Sequence, residues 1–212
     1  RGTEAATLDF SNKNFGPADV VLISALVIPF SPAVTEVNLS MNKCFNDESI
    51  KALADVIPKS KLQTLVIGKN CSVPVDASDM TTLDGSNQDF GPAELMLISS
   101  VVIPVSPAMT EIRLDSNPIT GLKYNGDVPA KVEEYDCDPS GFVALLEAMK
   151  TSAIAKLSIS DCDIGPKGLM TSAPLISAIT ALSQVELENN KAIEVAELEA
   201  LRKSHPNIKF TM

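Results

Sequence analysis

The sequence predicts an α/β solenoid: stacked strand–helix units in a horseshoe, parallel strands on the concave face and helices on the convex face. Three observations predict it. Residues 7–42 recur as residues 82–117, an offset of 75, with 22 of 36 positions identical. A fainter third copy begins near Lys156, and Gly-Pro pairs at 16–17, 91–92 and 165–166 keep the period. Within each copy a shorter pattern of alternating apolar residues returns, and the stretches between its occurrences carry helical periodicity.

The short pattern reads Leu-x-x-Leu-x-Leu-x-x-Asn, and its copies start near 5, 34, 62, 80, 109, 154 and 182. Alternation every second residue makes a strand with one buried face. The ninth-place Asn turns inward, where its amide can satisfy backbone groups of the neighbouring unit. The first copy is weak (Leu8, Phe10, Lys13) and leads to a helix over 17–28, begun by a proline where a first turn tolerates one. Val34, Val37, Leu39 and Asn42 form the second. Asn46 and Asp47 then cap a helix over 47–57 whose stripe is Ile50, Leu53, Ala54 and Ile57. Leu62, Leu65, Ile67 and Asn70 form the third, but this unit is only 18 residues long. Its return must be extended, which changes the local curvature. Leu83, Gly85 and Gln88 mark the weak fourth copy, followed by a helix over 92–103. Met109, Ile112, Leu114 and Asn117 form the fifth, in a unit swollen to 45 residues by an insertion at 118–139. A helix over 140–150 follows. Ile154, Leu157 and Ile159 form the sixth, with Cys162 in the Asn place, and its helix over 166–180 should be kinked or split by Pro174. Leu182, Val185, Leu187 and Asn190 form the seventh. A helix over 193–204 and an eighth strand near 208–210 close the chain.

On these motifs the chain resembles the leucine-rich-repeat family, ribonuclease-inhibitor-like subclass, over about residues 5–212, as one domain of residues 1–212. The resemblance implies a horseshoe-shaped protein-binding or scaffold module, a subunit of a larger assembly among its uses. The same subclass serves the Ran GTPase-activating family, which makes GTPase activation the alternative. That alternative rests on fold analogy; Arg113 is the one arginine on the expected binding face.

Composition narrows the function further. A net charge of −10 opposes binding to nucleic acid or anionic lipid and suits a basic partner. No apolar run reaches membrane-spanning length, so direct membrane insertion is not expected. Cys44, Cys71, Cys137 and Cys162 are scattered, with no paired spacing, which favours reduced thiols and a reducing compartment over a metal site. His205, the single histidine, sits beside Pro206 and reads as an exposed loop residue. No nucleophile elbow or phosphate-binding loop is present. We therefore expect no catalytic residues, cofactor or metal.

Three surfaces remain. The outward strand places of the seven motifs carry Asp9, Glu36, Asp84, Glu111, Asp115, Asp161, Glu186 and Glu188 against Lys69, Arg113 and Lys156. From this acidic face Glu36, Asp84, Glu111, Arg113, Asp115, Glu186 and Glu188 are candidate partner contacts. The insertion holds both tyrosines, Tyr124 and Tyr135, also candidates, because tyrosine gives large contact area with a polar tip. At the ends, charge caps the C-terminal layer, whereas Leu8, Phe10, Val21, Leu22 and Leu26 leave the N-terminal edge apolar. An upstream segment or another subunit is expected to cover that edge.

Overall fold

In the computed structural model, which describes residues 6–126, 131–190 and 193–211, every apolar pattern becomes a short strand. Eleven strands occur among the described residues: β1 (Ala6–Asp9), β2 (Val34–Asn38), β3 (Thr64–Ile67), β4 (Cys71–Pro74), β5 (Thr82–Asp84), β6 (Glu111–Arg113), β7 (Leu122–Tyr124), β8 (Val132–Tyr135), β9 (Lys156–Ser158), β10 (Gln184–Glu186) and β11 (Lys209–Thr211). The eight motif strands pair in parallel with their motif neighbours, except across the step from β3 to β5. Leu65, Ile67, Ile112, Leu114, Leu157, Ile159, Val185 and Leu187 are all buried, in one core that runs from Val20 to Phe210. Ala5, where the first motif starts, lies outside the described residues.

The expected single curved sheet is instead two sheets, β1-β2-β3-β4 and β11-β10-β9-β6-β5. The break lies in the 18-residue unit. With no length for a helix, the chain folds straight back, and β4 pairs antiparallel with β3, Ile67 opposite Cys71 and Thr64 opposite Pro74. β4 thus takes the edge of β3 that β5 would have used. The tight return leaves Asn70 exposed rather than inward, and Cys71 is buried in its stead. The buried ring of Phe90 fills the junction. A Cβ on Gly68 or on Gly85 would lie 2.5 Å from that ring. Gly85 stands where the first copy has Phe10, so the loss of one aromatic side chain makes room for the other.

The inward asparagines do what the motif requires. Asn117 Oδ1 accepts the N–H groups of Gln88 (3.0 Å) and Phe90 (2.9 Å), and its amide nitrogen faces the carbonyls of Gly85, Leu114 and Asp115 at 2.7–3.1 Å. Asn42 repeats this with Lys13 and Phe15, and Asn190 with Cys162 and Ile164. The Cys162 thiol donates to the Leu114 carbonyl at 3.1 Å, completing the column.

The helices are α1 (Pro17–Leu22), α2 (Asp47–Val56), α3 (Pro92–Leu97), α4 (Ser140–Met149), α5 (Pro166–Ala178) and α6 (Val195–Ser204). Their starts follow local chemistry. The Asn46 side chain accepts from Ser49 N–H and caps α2. Gly16 and Gly91 begin α1 and α3 with Pro at the first helical place, and Asp19 and Glu94 accept the Gly16 and Gly91 N–H groups, each at 2.9 Å. The ends are shared too. α1 and α3 widen into a π-turn at Ile23–Val27 and Ile98–Val102. Length explains this: α1 and α3 carry one residue more than α2 between the first helical residue and the Ile-Pro pair (17 to 28 and 92 to 103, against 47 to 57), and the π-turn takes up the extra residue. An Ile-Pro-x-Ser turn then closes α1, α2 and α3, with Ser31, Ser60 and Ser106 N–H donating to Ile28, Ile57 and Ile103. Pro174 does not split α5, which runs unbroken through it.

Gly141 marks the closest approach between helices. A Cβ there would fall 1.9 Å from the Pro92 carbonyl oxygen, a backbone atom that cannot swing aside. Gly141→Ala is therefore expected to destabilise the fold by about 1–3 kcal/mol in urea unfolding, although alanine is the better helix former. An unchanged midpoint would show that α3 and α4 do not meet this closely.

Candidate functional site

The outward side chains of the second sheet form a connected polar array, and strand register builds it. Lys156 stands opposite Glu111 on one side and Gln184 on the other, and Ser158 lies between Arg113 and Glu186. Lys156 Nζ reaches Glu111 Oε1 (3.2 Å) and Glu186 Oε1 (3.0 Å), while Arg113 Nε donates to Glu111 Oε1 at 2.7 Å. The Ser158 hydroxyl lies 2.7 Å from Asp115 Oδ1 and 2.8 Å from Glu186 Oε2, so its one proton serves one of two carboxylates at a time. Asp115 also accepts Ser160 N–H at 2.7 Å.

The charges answer to these contacts. The Arg113 hydrogen bond holds the Glu111 carboxyl below its usual range, and the same bond raises the Arg113 guanidinium. Hydrogen bonds donated to Glu186 and Glu111 raise Lys156. Burial pushes Glu186 up, but the hydrogen bonds of Lys156 and Ser158 outweigh it and set the group low. Glu111 and Glu186 are only half-buried, so these pairs are screened and hold side chains in place more than they stabilise the fold.

The acidic face therefore divides. Glu111, Glu186, Arg113 and Lys156 neutralise one another. Asp84, Asp115, Asp161 and Glu188 form no ion pair among the described residues. Asp84 accepts Ser86 N–H (3.0 Å) and Asp161 the Ser116 hydroxyl (3.2 Å), bonds to neutral donors that leave the negative charge uncompensated. Asp115, Asp161 and Glu188 follow their strands, at the edge where each unit turns towards its helix. Glu36 sits apart on the first sheet, with the Thr7 hydroxyl at 3.3 Å. Arg113, the one arginine on the expected binding face, is engaged by Glu111.

The insertion leaves the repeat at that same edge, after β6. Residues 127–130 lie outside the described part. Its roots are buried at Ile119, Thr120 and Asp136, and its strands β7 and β8 pair as a hairpin on which Tyr124 and Tyr135 are exposed. Asp136 was missed by sequence reasoning. Its carboxylate is buried and accepts Gly165 N–H (3.0 Å) and Gly168 N–H (2.8 Å) at the start of α5. In the first two copies that carboxylate belongs to the helix itself, as Asp19 or Glu94. The third copy has Gly168 there, and the insertion supplies the acid from outside. The signal was present: self-comparison leaves the third Gly-Pro helix without its capping acid.

His205 corrects another expectation. It is buried, not exposed, because its ring packs edge-on against Phe210 and bridges α5 and the last turn of α6. Nδ1 lies 2.9 Å from the Leu201 carbonyl and Nε2 3.2 Å from the Ala173 carbonyl, with the Ser177 and Ser204 hydroxyls beside the two nitrogens. Cys44, Cys71 and Cys162 are buried, and burial pushes their thiols up to about 12, 11 and 12, far from reactive thiolates; Cys137 is exposed. No helix among the described residues is long and apolar enough to cross a membrane.

Residues 31–54 and 155–171 match the Leucine Rich repeat family model, which supports a leucine-rich-repeat protein. These stretches contain β2 with the start of α2, and β9 with the start of α5. No curated protein matches the chain.

Proposed function

We propose that the chain is a non-catalytic protein-binding module. We read it as a stacked solenoid of ribonuclease-inhibitor-like units in one domain of residues 1–212, serving as a scaffold or complex subunit. Leucine-rich-repeat domains generally mediate protein–protein interactions. The observation that carries the reading here is the group of carboxylates Asp84, Asp115, Asp161 and Glu188, which form no ion pair among the described residues, while Arg113 and Lys156 are taken up by Glu111 and Glu186. Such an edge attracts a basic protein segment, and complementary charge speeds its encounter. The exposed Tyr124 and Tyr135, carried out from the same edge, supply apolar contact that charge alone lacks.

The test compares proteins captured by the wild type with those captured by two variants. One is Asp84→Asn/Asp161→Asn/Glu188→Gln; the other is Tyr124→Ala/Tyr135→Ala. A partner of this surface should lose roughly tenfold or more in affinity with each, and the wild-type complex should weaken as salt rises. A partner held equally by all three proteins would place recognition elsewhere.

A further inference from the structure

The loops that follow the motif strands make one continuous rim, because each is hydrogen-bonded to the next. Asn12 N–H donates to the Ser40 carbonyl (3.0 Å), Met41 to Gly68 (2.7 Å) and Lys69 to Gln88 (2.9 Å), so the rim crosses the break between the sheets. Asn87 to Asp115 (2.8 Å), Ser116 to Ser160 (2.9 Å) and Asp161 to Glu188 (2.7 Å) carry it on. Its charge changes sign at that break. The loops of the first three units, 10–16, 39–46 and 68–70, hold one charged residue each, Lys13, Lys43 and Lys69. The next three, 85–91, 114–117 and 159–165, hold only acids, Asp89, Asp115, Asp161 and Asp163, and Glu188 follows β10. Lys13, Lys43, Lys69, Asp89, Asp161 and Glu188 are exposed, and none of them enters an ion pair among the described residues.

The place where the sign changes is also apolar. A groove of about 480 Å³ opens between the loop ahead of α2 and the start of α3, where the 18-residue unit has no helix to set between them. Met41, Phe45 and Ala93 line it, with Lys43 and Lys69 from the basic units and Asp89 from the acidic ones. Met41 breaks the pattern of the repeat. In the left-handed position of the loop, five other units carry Asn12, Asn87, Ser116, Asp161 and Asn189, polar side chains mostly of the kinds that tolerate this backbone. Met41 takes the same backbone, φ 57°, with no polar side chain to support it, and is 61% exposed. It bears a conformational and a solvation cost that asparagine would avoid, and such costs gather where a chain clamps a ligand.

We propose that the rim binds a protein segment of segregated charge: acidic residues along the first three units, basic residues along the last four, and between them an apolar side chain that seats on Met41 in the groove. This rests on the protein-binding reading above and adds to it the order of charge in the partner. A uniformly basic segment satisfies Asp115, Asp161 and Glu188 but meets the three lysines with like charge, which costs affinity and fixes the register of the right partner. With strands about 4.8 Å apart, seven units span about 30 Å, the reach of roughly nine extended residues.

Fluorescence polarisation with the whole chain and three synthetic peptides tests this. The first peptide has a glutamate block, a central leucine and an equal arginine block. The second has the same residues with glutamate and arginine alternating, and the third has arginines on both sides of the leucine. The wild type should bind the first about tenfold more tightly than the second, although both have the same composition. Lys13→Glu/Lys43→Glu/Lys69→Glu should bind the first about tenfold more weakly and the third more tightly. The first peptide carries no net side-chain charge, so its loss does not come from the overall charge of the chain. Met41→Asn should bind the first about fivefold more weakly, yet unfold at an equal or higher urea concentration, since asparagine suits the left-handed backbone. Equal binding of the first two peptides overturns the proposal, and so does a first peptide indifferent to the lysine variant. Binding of the third without the first overturns it too, but leaves the acidic edge as a protein-binding site. Binding of none overturns it, and the capture comparison above then judges the acidic edge on its own. Self-association of the wild type, read by light scattering and lost in the lysine variant, would mean that a second copy supplies the charges, and counts against a separate partner.

Discussion

Asn117→Ala should lower stability by about 3–5 kcal/mol, far more than the same change at Asn42. The difference follows from water access. Asn117 is fully buried, and its loss strands the N–H groups of Gln88 and Phe90 and the carbonyls of Gly85 and Leu114 where solvent cannot replace the amide. Each buried orphan costs about 1–3 kcal/mol, and partial relaxation brings the sum into the stated range. Asn42 makes the same pattern of bonds one unit from the N-terminal edge, but it is only half-buried. Water can re-satisfy its partners, and about 1–2 kcal/mol is expected there. Asn117→Asp should fail nearly as badly as alanine, because a carboxylate still accepts but sets its charge against the Gly85 and Leu114 carbonyl oxygens. Urea midpoints for the three variants decide this. Equal losses at 117 and 42 would mean that the asparagine column is not graded by burial.

That column was legible in the sequence because it is local and periodic: the ninth place of a motif returns the same side chain to the same place. Helix starts were legible for the same reason, as at Asn46 and at the Gly-Pro pairs. The features that escaped depend on what meets what across the fold. The 18-residue unit announced that it had no helix, but whether its return would pair with β3 or lie beside β5 depends on which edge is free. His205 reads as a surface residue in sequence because the α5 backbone that encloses it, at Ala173, is 32 residues away. In the candidate site the sequence lists the charges but not their pairing. By sequence Lys156 is one of three positive charges set against eight negative ones. Register places it between Glu111 and Glu186, which removes those two acids from the free face and leaves the carboxylates at the strand ends.

The trans cap of α5 leads to the last expected result, a reversal of sign between two backgrounds. Asp136→Ala removes both acceptors at the start of α5 and leaves the Gly165 and Gly168 N–H groups buried without partners. It also takes an anion from the positive end of the helix. A loss of about 2–4 kcal/mol is expected, the size of a strong cap made with a charged group. The insertion loosens with it, since Asp136 is the buried carboxylate that ties β8 to α5; amide exchange at Gly121 and Cys137, where the hairpin's base is bonded, should quicken. Gly168→Asp restores the acid that the first two copies carry on the helix itself. In the wild type it should destabilise, because a Cβ at 168 would lie 2.5 Å from Asp136 Oδ1 and a second carboxylate would follow it into the same pocket. In Asp136→Ala that space is empty, and the new side chain can accept Gly165 N–H as Asp19 and Glu94 accept Gly16 and Gly91 N–H. The double variant should therefore be more stable than Asp136→Ala alone, while its insertion stays loose. Tyr124 and Tyr135 would then be carried by a hairpin no longer fixed to the repeat, and binding that needs them in place should stay weak although the fold has recovered. A double variant less stable than Asp136→Ala, or one whose hairpin exchanges as slowly as the wild type's, would show that Asp136 does not replace the missing acid of the third copy.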